Sequence, residues 1–123
     1  LIVVDTSALI DALCGPQRSL NRLIAFAESG ELLGIPAVVL YEWLRGPRVP
    51  EELRFQEELF PRERAIPFAS QEAALAAELY KSVSRARGRE LDLAIAATAI
   101  IRDAALWTLN RDDFADIRGL QLA

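Results

Sequence analysis

Carboxylates stand at four places in this 123-residue sequence where an isolated charge needs explaining. Asp5 directly follows the apolar run Leu-Ile-Val-Val, and Glu42 lies between Tyr41 and Trp43. Asp92 opens a long apolar stretch, while Asp112, Asp113 and Asp116 form a small acidic group near the end. Carboxylates brought into one pocket repel one another, which raises their pKa values and destabilises the pocket unless a cation neutralises it. Convergence of three or four of them would therefore imply a metal ion. The chain has no histidine and a single cysteine, Cys14, so the usual Cys/His zinc sites cannot be assembled. Ligands drawn from oxygen alone point to magnesium or manganese, ions that keep several waters and work on phosphate substrates. Such an ion can generate hydroxide for in-line attack and stabilise charge on the phosphorus oxygens and leaving oxygen, which is phosphodiester hydrolysis. The lack of histidine also removes the Ser-His-Asp and Cys-His nucleophilic arrangements.

Each acid has a plainer explanation as well. Asp5 could be a helix N-cap or turn residue, although Thr6 or Ser7 can supply that cap. Glu42 would be costly to bury unpaired in an apolar helix; Arg45, three residues on, is one possible partner and a bound cation the other. Asp92 sits where the helix macrodipole favours negative charge, as a simple cap would. It also shares a helical face with Ile95, Ala96 and Ala99, and packing that face on a sheet would carry the carboxylate toward the interior rim. Of Asp112, Asp113 and Asp116, at least one is expected to be a solvated loop charge.

The elements that must position these acids can be read from periodicity and breakers. Leu1 to Val4 reads as a strand buried on both faces, as in a parallel sheet, followed by a helix through Leu9, Ile10 and Leu13 that stops at Gly15 and Pro16. A second helix, from about Ser19 to Glu28, is expected to place Leu20, Leu23, Ile24 and Ala27 on one face. Leu32 to Ile35 follows as a short strand, and Pro36 at a first helical position begins a helix closed by Gly46 and Pro47. Val49 to Pro61 reads as a less apolar helix and a turn, Arg64 to Phe68 as a short strand, and Ser70 to about Ala86 as a long helix. Leu91 to Ile101 is apolar on nearly every side, the mark of a centrally buried helix. Ala104 to Leu109 is another strand, Asn110 to Asp116 a polar loop, and Leu120 to Leu122 a terminal strand. Strands alternating with helices predict a three-layer α/β/α fold with a mostly parallel central sheet. In such a sheet, ligands bind beyond the carboxyl ends of the strands, where Asp5 and the segment after Leu109 both fall.

With 52% hydrophobic residues the chain can bury one sizeable core, and a single domain over residues 1–123 is expected. No apolar run approaches the roughly 20 residues that cross a bilayer. Leu1 to Val4 is too short for a signal-peptide core, so a cytoplasmic protein is expected. A net charge of −4 argues against gripping nucleic acid mainly by long-range attraction, but not against local basic patches. Lys81 is the sole lysine among 14 basic residues, and arginine suits bidentate phosphate contacts. Arg18, Arg22, Arg45, Arg48 and Arg89 fall near the expected crevice, and one or two of them are expected to touch phosphate.

Four segments in order, Val-Val-Asp-Thr-Ser, Tyr-Glu-Trp-Leu-Arg-Gly, Asp-Leu-Ala-Ile-Ala-Ala-Thr-Ala and Trp-Thr-Leu-Asn-Arg-Asp-Asp-Phe, resemble the successive motifs of PIN domains of the VapC toxin type. The resemblance spans nearly the whole chain. It implies a magnesium- or manganese-dependent endoribonuclease in which Asp5, Glu42 and Asp92 are the core acids. The fourth position falls in a motif occupied here by Thr108, Asn110 and Asp113; Asn110 replaces the first acidic candidate, and Asp113 can supply charge. Ser7 matches a small polar position near the metal, and Arg45 and Arg89 are the candidates for RNA contact. The span between Gly88 and Asp92 is shorter than in many relatives, which bears on the local substrate loop. The resemblance further implies a homodimer and an antitoxin whose tail crosses the active-site groove, for which the apolar helices carrying Trp43 and Leu44 are suited.

Other readings fit less well. A response-regulator receiver would want adjacent acids at the first strand end and a lysine after a late strand, and an aspartyl-phosphate phosphatase a second aspartate where Ser7 stands. A PIN-like binding module without catalysis would be expected to lack a core acid, and all three are present. A PIN nuclease of RNA processing without an antitoxin shares every feature above.

Overall fold

The computed structural model describes residues 1–123. Strand β1 (Ile2–Val4) is buried at every position, as its unbroken aliphatic run predicts, because parallel neighbours flank it on both sides. It pairs with β2 (Leu33–Gly34) on one side and β3 (Ala105–Trp107) on the other, with β4 (Gln121–Leu122) beyond β3. The order β2-β1-β3-β4 is parallel throughout. From β1 the chain steps outward to β2 and then returns past β1 to β3, so the connection reverses direction between β1 and β3. That reversal opens a crevice beyond the carboxyl ends of these two strands.

The first crossover carries α1 (Thr6–Leu13) and α2 (Leu20–Glu28), the second α3 (Ala37–Arg45), α4 (Pro50–Leu59), α5 (Ser70–Ser82) and α6 (Glu90–Ile101). Six helices flanking a four-stranded parallel sheet give the expected three-layer α/β/α fold. Helix α6 is buried continuously from Leu93 to Ala99, and its one internal hydroxyl, Thr98, donates to the Ala94 carbonyl at 2.9 Å. Its main helical partner is the alanine-rich α5, to which it is fastened by Arg102 Nη1 donating to Glu72 Oε2 at 2.8 Å. That guanidinium holds the buried Glu72 carboxyl below the usual carboxylate range.

Several expected elements differ in detail. Arg64 to Phe68 does not form a strand: Arg62–Arg64 is a 3-10 turn, and only one bridge, Pro36 with Ile66, joins the sheet's edge. Pro36 and Pro67 lack the N–H groups a longer ladder would need. Helix α5 stops at Ser82, four residues early, and Arg85 beyond it takes a left-handed conformation with φ of 57°. Pro36 is the N-cap of α3 and not its first turn. On α2, Leu23 is buried and Phe26 packs on Trp107, but Ile24 and Ala27 face outward. The packed stripe is narrower than the apolar pattern suggests.

Candidate metal centre at the strand ends

Asp5 is placed by both strands at once. Its backbone N–H donates to the Trp107 carbonyl at 2.9 Å, extending the β1–β3 ladder by one residue, and its carbonyl accepts from Leu9 N–H as α1 begins. Although Asp5 occupies the N-cap position of α1, its side chain bonds no helix N–H. The Oδ2 atom instead accepts from Ser7 Oγ at 2.9 Å and from Thr108 Oγ1 at 2.7 Å, and the residue is 3% exposed. Ser7 Oγ also accepts from Leu109 N–H and Thr108 Oγ1 from Asn110 N–H, both at 3.0 Å. The backbone after β3 is thereby locked to the two hydroxyls that orient Asp5. Thr6 and Ser7, expected as possible caps, serve the carboxylates instead.

Glu42 emerges from α3 beside the buried pair Val39 and Trp43, with its side chain 17% exposed. Arg45, the partner expected from sequence, is only loosely engaged, its Nη2 reaching Oε2 at a long 3.5 Å. The closer partner is Thr6, whose Oγ1 donates to Oε1 at 2.6 Å and ties Glu42 to the residue next to Asp5. Arg45 also lies 5.2 Å from the centroid of the Tyr41 ring. Sequence reasoning misses the Thr6 bond; the only signal for it is a second hydroxyl adjoining Asp5.

Asp92 is half-buried in the first turn of α6. Burial pushes its carboxyl up to about 6, and the negative charges of Asp5, Asp113 and Glu42 push the same way, against a smaller lowering by Arg89. The four acids therefore share one electrostatic neighbourhood. They do not form a finished ligand cage: no three acidic or cysteine side chains lie close enough, as they stand, to hold an ion. Oxygen-only donors and a half-buried carboxyl, raised first by burial and then by three like charges, fit a hard divalent cation.

Asp113 ends a 3-10 turn, Arg111–Asp113, whose N-cap is Asn110; all three positions and Asn110 are exposed. Arg89 governs this loop. Its guanidinium forks onto Asp116, at 3.0 Å and 2.6 Å, and donates further to the Asp113 carbonyl at 2.8 Å and the Ser84 carbonyl at 3.1 Å. Both terminal nitrogens of this candidate RNA contact are thus engaged within the chain. Asp116, which the sequence marks only as a member of the acidic group, is the anchor of that clamp, and Arg89 holds its carboxyl low. Of the other candidate arginines, Arg18 pairs with Asp11 at 2.9 Å, Arg48 stacks 4.3 Å from the Trp43 ring, and Arg22 lies 4.9 Å from Phe26.

A family model described as PIN domain matches residues 2–120. Among solved structures, the chain is similar to VapBC from Salmonella typhimurium bound to DNA, with a TM-score of 0.82 at 20% identity over 99% of this chain and 96% of that one. It is also similar to VapBC2 from Rickettsia felis bound to a promoter DNA fragment, with a TM-score of 0.78 at 22% identity over 99% and 96%. A toxin-antitoxin complex from Klebsiella pneumoniae gives 0.77 at 25% identity over 98% and 95%. No curated protein matches in sequence.

Proposed function

The chain belongs to the PIN domain family, whose members are generally nucleases, and on that premise we propose that it is a divalent-metal-dependent endoribonuclease, the toxin of a toxin–antitoxin pair. The observation that carries the reading is the placement of Asp5 at the ends of β1 and β3, tied to Thr108 and, through Thr6, beside Glu42, with Asp92 close enough that burial first, and then the charges of Asp5, Asp113 and Glu42, raise its carboxyl. Asp5, Glu42, Asp92 and Asp113 would hold the ion, magnesium or manganese, with Ser7, Thr108 and Asn110 in support. When bound, it supplies a water acidic enough to act as nucleophile and positive charge opposite the phosphate oxygens.

The chain's own residues prepare that chemistry. Ser7 and Thr108 donate to Asp5 Oδ2 and so hold its carboxylate in one orientation. Thr6 does the same for Glu42 Oε1. Asp92, raised to about 6, gives up its proton near neutrality, so cation binding and proton release at its carboxyl are coupled. Asn110 offers an amide oxygen or N–H at the loop edge, and Asp113 adds charge at the open side of the crevice. The structural likeness to VapBC and toxin-antitoxin complexes supports an antitoxin partner, for which Leu44, 39% exposed on α3, and Tyr41, 55% exposed, offer an apolar surface; Trp43, expected to share it, is fully buried in the core instead. A homodimer and a cytoplasmic location accompany this reading; no helix is long and apolar enough to cross a membrane.

The test is cleavage of a panel of RNAs with magnesium or manganese. Activity is expected to vanish with EDTA and to fall by more than about a hundredfold in Asp5→Asn and in Asp92→Asn, since even residues that merely support a metal ligand cost about 10- to 100-fold. Cleavage that survives both substitutions would remove the mechanism.

A further inference from the structure

An acidic centre cannot by itself hold a polyanion, so the substrate must be gripped by cations beside it. Three of the arginines expected near the crevice face carboxylates: Arg89 is forked onto Asp116, Arg18 pairs with Asp11, and Arg45 reaches Glu42 at 3.5 Å.

Two others differ. A hollow of about 300 Å³ at the carboxyl end of β3 is lined by Arg22, Trp107, Thr108, Leu109, Arg111 and Ala123. Neither Arg22 nor Arg111 has an aspartate or glutamate carboxylate within 4.0 Å. Both are nevertheless held in place. The Arg22 guanidinium rests 4.9 Å from the Phe26 ring centre, and that ring meets Trp107 edge-on at 5.3 Å. Arg111 Nη1 donates to the Ala123 carbonyl at 2.7 Å, leaving its other N–H groups available. The hollow adjoins the candidate centre through Thr108, whose hydroxyl bonds Asp5 Oδ2 at 2.7 Å. Leu109, 47% exposed, adds an apolar surface against which a base can pack.

We propose that Arg22 and Arg111 form a phosphate-binding ledge that leads a single RNA strand across the end of β3 onto Asp5. The ledge rests on the endoribonuclease reading above and adds where the strand enters. Two pre-oriented guanidinium groups can each take a backbone phosphate while Thr108 and Asp5 lie at the next step inward. The acids repel the strand and the arginines hold it, so a cleavable phosphate reaches the centre only when a cation is present.

The experiment compares wild type, Arg22→Gln/Arg111→Gln and Arg22→Lys/Arg111→Lys, each full length. It follows cleavage of a fluorescent single-stranded RNA with manganese over a range of potassium chloride concentrations, with a DNA strand of the same sequence in parallel. The glutamine variant is expected to raise KM tenfold or more with kcat within twofold. Its dependence of log kcat/KM on log salt should be shallower by about 1.4, at roughly 0.7 for each phosphate of a single strand that is no longer neutralised. The lysine variant should keep most of the salt dependence. Unchanged KM and slope in the glutamine variant, with wild type active, would overturn the ledge alone. Equal losses in the glutamine and lysine variants, accompanied by a lowered Tm, would also overturn it, because the arginines would then be structural. A wild type that cleaves the DNA strand and no RNA would overturn the ribonuclease reading and the ledge's ligand together.

Discussion

Asp92 is where the electrostatics of the centre become measurable. Its carboxyl lies near 6 in the folded chain against an ordinary 3.8, so the folded state binds its proton more tightly than the unfolded state does. The stability this contributes is fully present below about pH 4 and is lost as pH rises through about 6. Above that, in the absence of a cation, the charge on Asp92 opposes folding. Because the group is only half-buried, solvent screening reduces the effect to on the order of 1 kcal/mol. Asp92→Asn, measured without metal at pH 7, should therefore melt about 3 to 6 °C above wild type, a gain that disappears at pH 4. An equal Tm difference at both pH values would show that packing and not charge sets it. The acids themselves are legible in the sequence because each interrupts apolar surroundings or ends an apolar run. Their hydroxyl partners are less so: Thr6 lies 36 residues from Glu42 and Thr108 lies 103 from Asp5, and only the folded sheet brings them together.

Among the elements, the clamp on Arg89 does most to position the open side of the centre. One side chain joins the segment after α5, the start of α6 and the loop carrying Asp113. Its positive charge also lowers Asp92. Arg89→Gln should reduce cleavage by about 10- to 100-fold, as removal of a residue that orients a metal ligand does. It should also move the acidic limb of the pH–rate profile upward, since Asp92 would be without the one charge that lowers it. A drop in rate with an unshifted profile would assign Arg89 to substrate binding instead. The helix α6 is readable because a run apolar on all sides has few alternatives to central burial. The end of α5 and the expected strand at Arg64 to Phe68 are not, for different reasons. Arg85 adopts a left-handed conformation that its type does not announce, and a short apolar run between prolines looks like a strand until its missing N–H groups are counted.

Over the whole molecule, the parallel order β2-β1-β3-β4 is what brings distant acids to one rim. Asp5 leaves β1 and Thr108 leaves β3 at the one place where the connection reverses, and α3 and α6 bring Glu42 and Asp92 to the same rim. The alternation of strands and helices predicts that layout, and the order of strands sets which carboxyl ends adjoin. On the proposed reading, four acids at one rim of a chain of net charge −4 would repel a phosphate substrate, and a cation would be the link between them. The most direct measurement is a titration of manganese by electron paramagnetic resonance, at pH 7 and pH 5, for wild type, Asp5→Asn and Asp92→Asn. Wild type should bind the ion, bind it at least several-fold more weakly at pH 5 as Asp92 takes up its proton, and show no bound signal in either variant. Affinity that is the same at both pH values and intact in both variants would show that these carboxylates do not share an ion.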